Sequence, residues 1–211
     1  MYRIFKYLML SIFALAFAAS ASAVTLEDLD RQINRRATTL EAFRQRLNDD
    51  NPAKRRAAME IMIKSDDPAL VRMAKEAGLF SSDRALRSAA LKAIFDSKPR
   101  LRTELTSTDK ESLQGIARFV AGNGGSYDDK GGTLSFQVGA YSDEAKCWLD
   151  SRGRFCLIAL SGETVSIFGD SFSGSLAATL TLNDEGLLKG PFQTSINAKG
   201  ASGTAMIDLT E

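Results

Sequence analysis

The apolar pattern of this chain changes its period once, at a glycine-rich segment, and that change constrains the fold most. Before residues 121–132 (AGNGGSYDDKGG), apolar residues recur at spacings of three and four; beyond them, apolar and polar residues alternate. Five glycines in this segment indicate a break in regular structure. The sequence therefore predicts an α+β protein: a helical module over residues 24–121, a glycine-rich linker over 122–132 and an antiparallel β-sandwich or small β-barrel over 133–211.

The first 23 residues have the pattern of an export signal. Arg3 and Lys6 precede an apolar run over residues 7–19, which is too short to span a bilayer. Small residues at Ala21 and Ala23 suit a signal peptidase, so we expect cleavage between Ala23 and Val24 and a periplasmic or secreted protein. Retention of the segment as an anchor stays open; after cleavage, no transmembrane segment is expected.

Prolines and capping residues divide the helical module. Pro52, Pro68 and Pro99 each stand where a helix can begin, because proline lacks the N–H that the first turn leaves unpaired. Asn51 and Asp67 precede two of them as N-caps. Further along, the expected features are a helix end at Gly78, an N-cap at Ser81 or Ser82, an N-cap at Ser107 or Thr108, and a last helix over residues 109–120.

Two helices of this module repeat each other. Shifted by about 32 residues, RRAAMEIMIKS (55–65) aligns with RSAALKAIFDS (87–97), and a period of this length is typical of helical solenoids. Over residues 48–102 the sequence resembles HEAT-like repeats of the phycobilisome-lyase type. The residues that match the pattern are Arg55, Ala58, Met62, Arg87, Ala90 and Ile94. The resemblance implies close helix packing, arginines that tie repeats together, and a surface that docks protein partners.

Two cysteines, Cys147 and Cys156, are expected to form a disulfide in an exported protein. A two-residue loop at Ser151-Arg152 would place them directly opposite each other on adjacent strands. A bulge at Gly153 would shift the register and send them to opposite faces. The sequence favours the first arrangement and leaves the second open.

The chain contains no histidine, which removes the common Ser-His-Asp and Cys-His mechanisms. The GDS motif that ends at Ser171 therefore lacks its activating base, and Gly169-Asp170 is expected to be a two-residue hairpin turn. Two cysteines also cannot form a four-cysteine zinc site. No catalytic residue, metal or cofactor is expected.

Charge gives little support for nucleic-acid binding. Residues 24–120 carry 19 basic and 15 acidic residues, and residues 121–211 carry 6 and 11. The leading expectation is an exported, non-enzymatic interaction protein whose repeats dock a protein partner. Two alternatives remain: an envelope hydrolase that uses Asp/Glu or Ser/Lys, and a β-module that binds a small ligand or lipid, which requires an apolar cavity.

Overall fold

The computed structural model describes residues 25–171, 174–196 and 199–210. The predicted signal segment, with its cleavage site at Ala23 and Val24, lies outside these residues. The described residues fall into two compact units, which divide between Glu41 and Ala42. None of the helices in the described ranges is long and apolar enough to cross a membrane.

Helix α1 (Leu26–Leu47) begins in the first unit. Thr25 caps it, because the Thr25 hydroxyl accepts a hydrogen bond from the Asp28 N–H at 3.1 Å and donates to the Asp28 carboxylate at 2.8 Å. Leu26, Leu29 and Ile33 lie on this helix with 80%, 45% and 53% of their surface exposed. The first part of α1 thus presents a row of apolar side chains to solvent.

Three helices open the second unit: α2 (Pro52–Ile63), α3 (Pro68–Leu79) and α4 (Arg84–Asp96). Asn51 and Asp67 cap the first two, which confirms the prediction. The predicted cap at Ser81 or Ser82 is wrong, since the Asp83 carboxylate accepts hydrogen bonds from the first turn of α4. The largest side chains that these helices bury are Met59, Met62, Leu79, Leu91, Ile94 and Phe95.

Pro99 immediately precedes a strand and not the predicted helix. In strand β1 (Arg100–Thr106), the buried Leu101, Thr103 and Leu105 alternate with more exposed residues. Burial therefore repeats every two residues, as expected for a strand. Helix α5 (Lys110–Gly122) follows β1. Its N-cap is Asp109, whose carboxylate accepts from the Ser112 N–H at 2.7 Å, and not Ser107 or Thr108.

The strands form an antiparallel sheet that closes on itself. After α5 come β2 (Ser126–Tyr127), β3 (Gly131–Ser142), β4 (Cys147–Asp150), β5 (Cys156–Ser161), β6 (Thr164–Ser171), β7 (Gly174–Leu182), β8 (Leu187–Ile196) and β9 (Lys199–Asp208). Each strand from β3 to β9 pairs with the next, and β1 joins β9 to β3. The predicted α+β class is therefore confirmed, and the sheet is a closed barrel with β2 added at the edge of β3.

The boundary predicted at residues 122–132 is not visible as a separation between two compact bodies. Strand β2 and the first residues of β3 lie within this segment, and residues 42–211 form one unit. Helix α5 contacts β1, β3, β8 and β9, because Gly115 brings the helix against Ala201 and Gly132 leaves room for Ile116 and Val120. The division into a helical and a β-module stays a prediction.

Residues 183–186 form a turn: the Asn183 side chain accepts hydrogen bonds from the Glu185 and Leu187 N–H groups, and Gly186 has a φ of 76°. The predicted turn at Gly169-Asp170 is wrong. Strand β6 continues through both residues, with Gly169 opposite Leu176.

The predicted disulfide joins Cys147 to Cys156, with their Cα atoms 5.8 Å apart. The predicted direct pairing of the two cysteines is wrong, since Cys156 lies opposite Leu149 and the register shifts between Trp148 and Leu149. The loop after β4 is also longer than two residues. The Phe155 carbonyl accepts a hydrogen bond from the Asp150 N–H, so four residues separate that pair.

The two repeat arginines tie elements together. Arg55 donates to the Asp49 and Asp50 carbonyls after α1, at 2.8 and 3.2 Å. Arg87 is buried and reaches from α4 to the barrel, where its guanidinium donates to the Leu182 carbonyl at 2.8 Å. The second arginine therefore joins a helix to the sheet, and not one repeat to the next.

Candidate ligand cavity

An open cavity of about 850 Å³ is lined by residues of helix α5 and of the barrel strands. This volume falls within the range of roughly 300–1,000 Å³ that is typical of small-molecule sites. Apolar side chains form most of its wall. They are Phe119 of α5, Leu134 and Phe136 of β3, Phe155 and Leu157 near the start of β5, Ile167 of β6 and Leu176 of β7.

The cross-strand register explains why these side chains meet. Residues directly opposite each other in an antiparallel pair share one face of the sheet. Ile167 lies opposite Ala178 and Gly169 opposite Leu176, so these positions share one face of β6 and β7. Ile167, Leu176 and Ala178 are all buried, which identifies this face as the interior of the barrel.

Gly169 keeps part of this interior open. A Cβ atom at this position would contact only the Leu176 Cβ, at an ordinary 3.6 Å, and Gly169 has no positive φ that would require glycine. Other strand glycines differ; at Gly190, for example, a Cβ would lie 2.1 Å from a backbone oxygen. A glycine inside a strand costs stability, and such a glycine often marks a close approach by a ligand.

The cavity opens at the edge of β3. Strand β2 pairs with β3 up to Thr133, and β4 pairs with it from Val138 onward. Between these two positions, none of the described strands other than β1 pairs with β3. Ser135 and Gln137 line the cavity together with Leu134 and Phe136, so both faces of β3 border the opening.

Backbone groups of β3 point into this opening. The Val138 N–H donates to the Pro99 carbonyl at 3.0 Å, on the β1 side of the strand. Because successive residues of an antiparallel strand direct their N–H and C=O groups to opposite sides, Ser135 and Gln137 direct theirs away from β1. The opening therefore presents hydrogen-bonding groups that no described strand occupies.

One carboxylate of the lining is fully engaged within the protein. The Asp150 carboxylate accepts hydrogen bonds from the Arg154 N–H at 2.6 Å and from its guanidinium at 2.9 Å. Burial raises the pKa of Asp150, but the hydrogen bonds and charge of Arg154 outweigh burial and hold that pKa below its usual value. Asp150 is consequently an ionised structural anchor of the loop at residues 151–155.

Three further charged residues line the cavity: Arg100, Arg152 and Asp170. All three are exposed. No ion pair within the described ranges engages them. Together with Asp150 and Arg154, they leave the lining with one more positive than negative charge. The cavity is thus apolar at depth and cationic at its opening.

A second cavity of about 560 Å³ lies beside α3 and is lined by Asp66, Val71, Lys75 and Thr210 among others. Burial lowers the pKa of Lys75, while the charge of Asp208 acts in the opposite direction. In the described part of the chain, no group of three or more His, Cys, Asp or Glu side chains is placed to hold a metal ion.

The structure brings few of the sequence-predicted residues to the main cavity. Gly169 and Asp170 line it, although the sequence assigned them to a turn. Cys147 and Cys156 begin β4 and β5, whose connecting loop forms one wall, and the side chain of Ser171 is outside the described part. The repeat residues Arg55, Ala58, Met62, Arg87, Ala90 and Ile94 do not line it.

Comparison with known proteins gives no relative: no family model, curated protein or solved structure matches this chain. The resemblance of residues 48–102 to HEAT-like repeats therefore stays a prediction.

Proposed function

We propose that the barrel binds a small molecule with a substantial apolar part. This is the ligand-binding function that the sequence left open as an alternative. The observation that supports it is the cavity of about 850 Å³, with seven apolar side chains in its wall and a lateral opening at the edge of β3.

The apolar wall determines how affinity should depend on the chain length of the ligand. Each methylene group that leaves water for an apolar site contributes about 0.8 kcal/mol, or roughly a fourfold gain in affinity. Affinity for a series of linear alcohols should therefore rise about fourfold per added carbon until the cavity is full. A flat response to chain length would contradict binding inside the barrel.

A filled-cavity variant tests the site itself. In Gly169→Phe, the new ring shares the interior face with Leu176 and occupies ligand space. We expect its affinity for the neutral dye N-phenyl-1-naphthylamine to fall at least tenfold, measured by fluorescence titration. Thermal stability should hold or rise, because phenylalanine favours strands and reduces the freedom of the unfolded chain.

The matched control is Ala177→Phe. Ala177 is exposed and lies opposite Phe168, on the other face of the same strand pair. It receives the same ring outside the barrel, so dye affinity should stay at the wild-type value. Equal dye affinity in the two variants would refute the cavity as the binding site.

A second candidate function is docking of a protein partner, which was the leading expectation from the sequence. The exposed row of Leu26, Leu29 and Ile33 on α1 supports it. A photo-crosslinking residue at Ile33, compared with one at the exposed Arg35 in the native envelope, tests this proposal. Specific adducts from position 33 are expected; identical products at both positions would contradict a docking row.

We also propose that the protein acts in the periplasm or outside the cell. The export-signal pattern before Val24 supports this location, and so does the disulfide between Cys147 and Cys156, a bond typical of oxidising compartments. Mass analysis of the protein from its host should give an N-terminus at Val24. An N-terminus at Met1 would contradict export with cleavage.

A further inference from the structure

The charged residues that line the main cavity favour one ligand charge. The Asp150–Arg154 pair is satisfied internally, since three contacts of 2.6–2.9 Å join the two residues. Arg154 is therefore committed to the protein. The charges that remain available at the opening are those of Arg100, Arg152 and Asp170.

Arg100 and Arg152 approach the opening from different elements. Arg100 begins β1 and lies opposite Gln137 in the β1–β3 pair. Arg152 lies in the loop between β4 and β5. Neither has an ion-pair partner among the described residues. Asp170, near the end of β6, offsets one of these two charges.

The edge of β3 adds uncharged donors at the same place. Ser135 and Gln137 direct their backbone N–H groups away from β1, into the gap between β2 and β4. The Gln137 side-chain amide donates to the Lys98 carbonyl, so its backbone N–H is the group left for a ligand. Paired guanidinium and N–H donors are the groups that bind carboxylate and phosphate oxygens in proteins.

From this arrangement we infer that the ligand is an anionic, single-chain amphiphile of the fatty-acid type. Its carboxylate binds at the opening between Arg100 and Arg152, and its alkyl chain extends past Phe136 toward Leu176 and Gly169. This assignment rests on the proposed function of the barrel and specifies its ligand class. The excess of positive charge favours the anion, and the apolar wall requires the chain.

Three ligands with similar chains and different headgroups separate the contribution of the headgroup to affinity from that of the chain. Decanoate, decanol and decyltrimethylammonium carry similar chains with negative, neutral and positive headgroups at pH 7.5. Competition against N-phenyl-1-naphthylamine should show decanoate binding about tenfold more tightly than decanol, since each exposed charge pair contributes up to about fivefold. The advantage should shrink between 0.05 and 0.5 M salt because exposed charges are screened.

The double variant Arg100→Gln/Arg152→Gln should lower the affinity for decanoate to about that for decanol. Arg56→Gln is the matched control, because Arg56 is an exposed arginine on α2 that does not line the cavity. Circular dichroism and thermal unfolding check that the double variant is folded. A decanoate preference that survives in the double variant would overturn the assigned headgroup site.

Three further outcomes are distinct. Equal affinities for decanoate and decanol in the wild-type protein would overturn the inferred ligand class and leave the proposed apolar binding function intact. Absence of binding by all three ligands and by the dye would refute the proposed function itself. Preference for the cationic ligand would refute the charge argument and identify Asp170 as the dominant group at the opening.

Discussion

Replacement of Arg87 by methionine should remove the polar contacts that hold helix α4 to the barrel and so lower the stability of the protein. Arg87 leaves α4 and is only 8% exposed, and its guanidinium donates to the carbonyls of Leu182 and Asn183 at 2.8 and 3.0 Å. It also pairs with the carboxylates of Glu163 and Asp184. Methionine preserves much of the apolar stem but leaves these four acceptors without their donor.

The structure indicates how much free energy of unfolding this variant should lose. Removal of one partner from a buried charge pair costs about 3–5 kcal/mol. The Asp184 side chain is fully exposed and its contact contributes little, whereas the Glu163 side chain is only 21% exposed. We therefore expect Arg87→Met to reduce the free energy of unfolding by about 3 kcal/mol, which lowers Tm by roughly 6–12 °C for a chain of this size.

Urea unfolding followed by circular dichroism measures this loss, and Arg84→Met is its control. The Arg84 side chain is 90% exposed and contacts the same Glu163 carboxylate at 3.7 Å. Its loss should cost less than about 0.5 kcal/mol. A loss for Arg87→Met no greater than that for Arg84→Met would refute the conclusion that Arg87 holds α4 to the sheet.

Three other perturbations have defined outcomes. Cys147→Ala/Cys156→Ala should cost about 2.5 kcal/mol in urea unfolding, as expected for a short closed loop, and should weaken dye binding because the β4–β5 wall loosens; unchanged dye affinity would contradict that role. Asp150→Asn should lower Tm at pH 7. Since Arg154 depresses the folded-state pKa of Asp150, the stabilisation is present above the unfolded-state pKa of about 3.9 and is lost as pH falls through the folded-state pKa. The Tm difference between variant and wild type should thus shrink at pH 3, and a constant difference would contradict this linkage. Gly186→Ala should destabilise by about 1 kcal/mol or more in the same assay, because Gly186 has a φ of 76° and an added Cβ would meet the Phe80 ring; a neutral effect would contradict this turn geometry.

Local signals in the sequence were sufficient to predict most of the helices, strands and turns. Asn51 and Asp67 cap helices because their short polar side chains accept bonds from the first turn, and this depends only on adjacent residues. The alternating residues of β3 and the turn at residues 183–186 are equally local. Such features can be read from sequence because their partners lie within a few positions.

The errors arose where distant partners decide the structure. Proline suits the start of a strand as well as of a helix, and pairing with β3 and β9 makes residues 100–106 a strand. The closure of the barrel by β1 depends on the same pairing. A local turn signal at Gly169-Asp170 was overridden by the eight-residue ladder between β6 and β7.

The cavity itself has almost no signature in the sequence. It depends on space left by Gly169 and on the unpaired edge of β3, and a void produces no periodic pattern of residues. Its apolar wall reads as ordinary core, because Leu134, Ile167 and Leu176 occupy regular inward positions of their strands. The one available sign was a glycine inside an apolar strand, and that residue was assigned to a turn.

Native mass spectrometry tests the central proposal, an apolar ligand inside the barrel, most directly. The purified protein is mixed with decanoate, and the bound molecules are counted for the wild type, Gly169→Phe and Ala177→Phe. If the ligand lies in the cavity, the wild type and Ala177→Phe bind one decanoate and Gly169→Phe binds none at the same concentration. Retention of the ligand by Gly169→Phe, with its stability intact, would contradict binding inside the barrel.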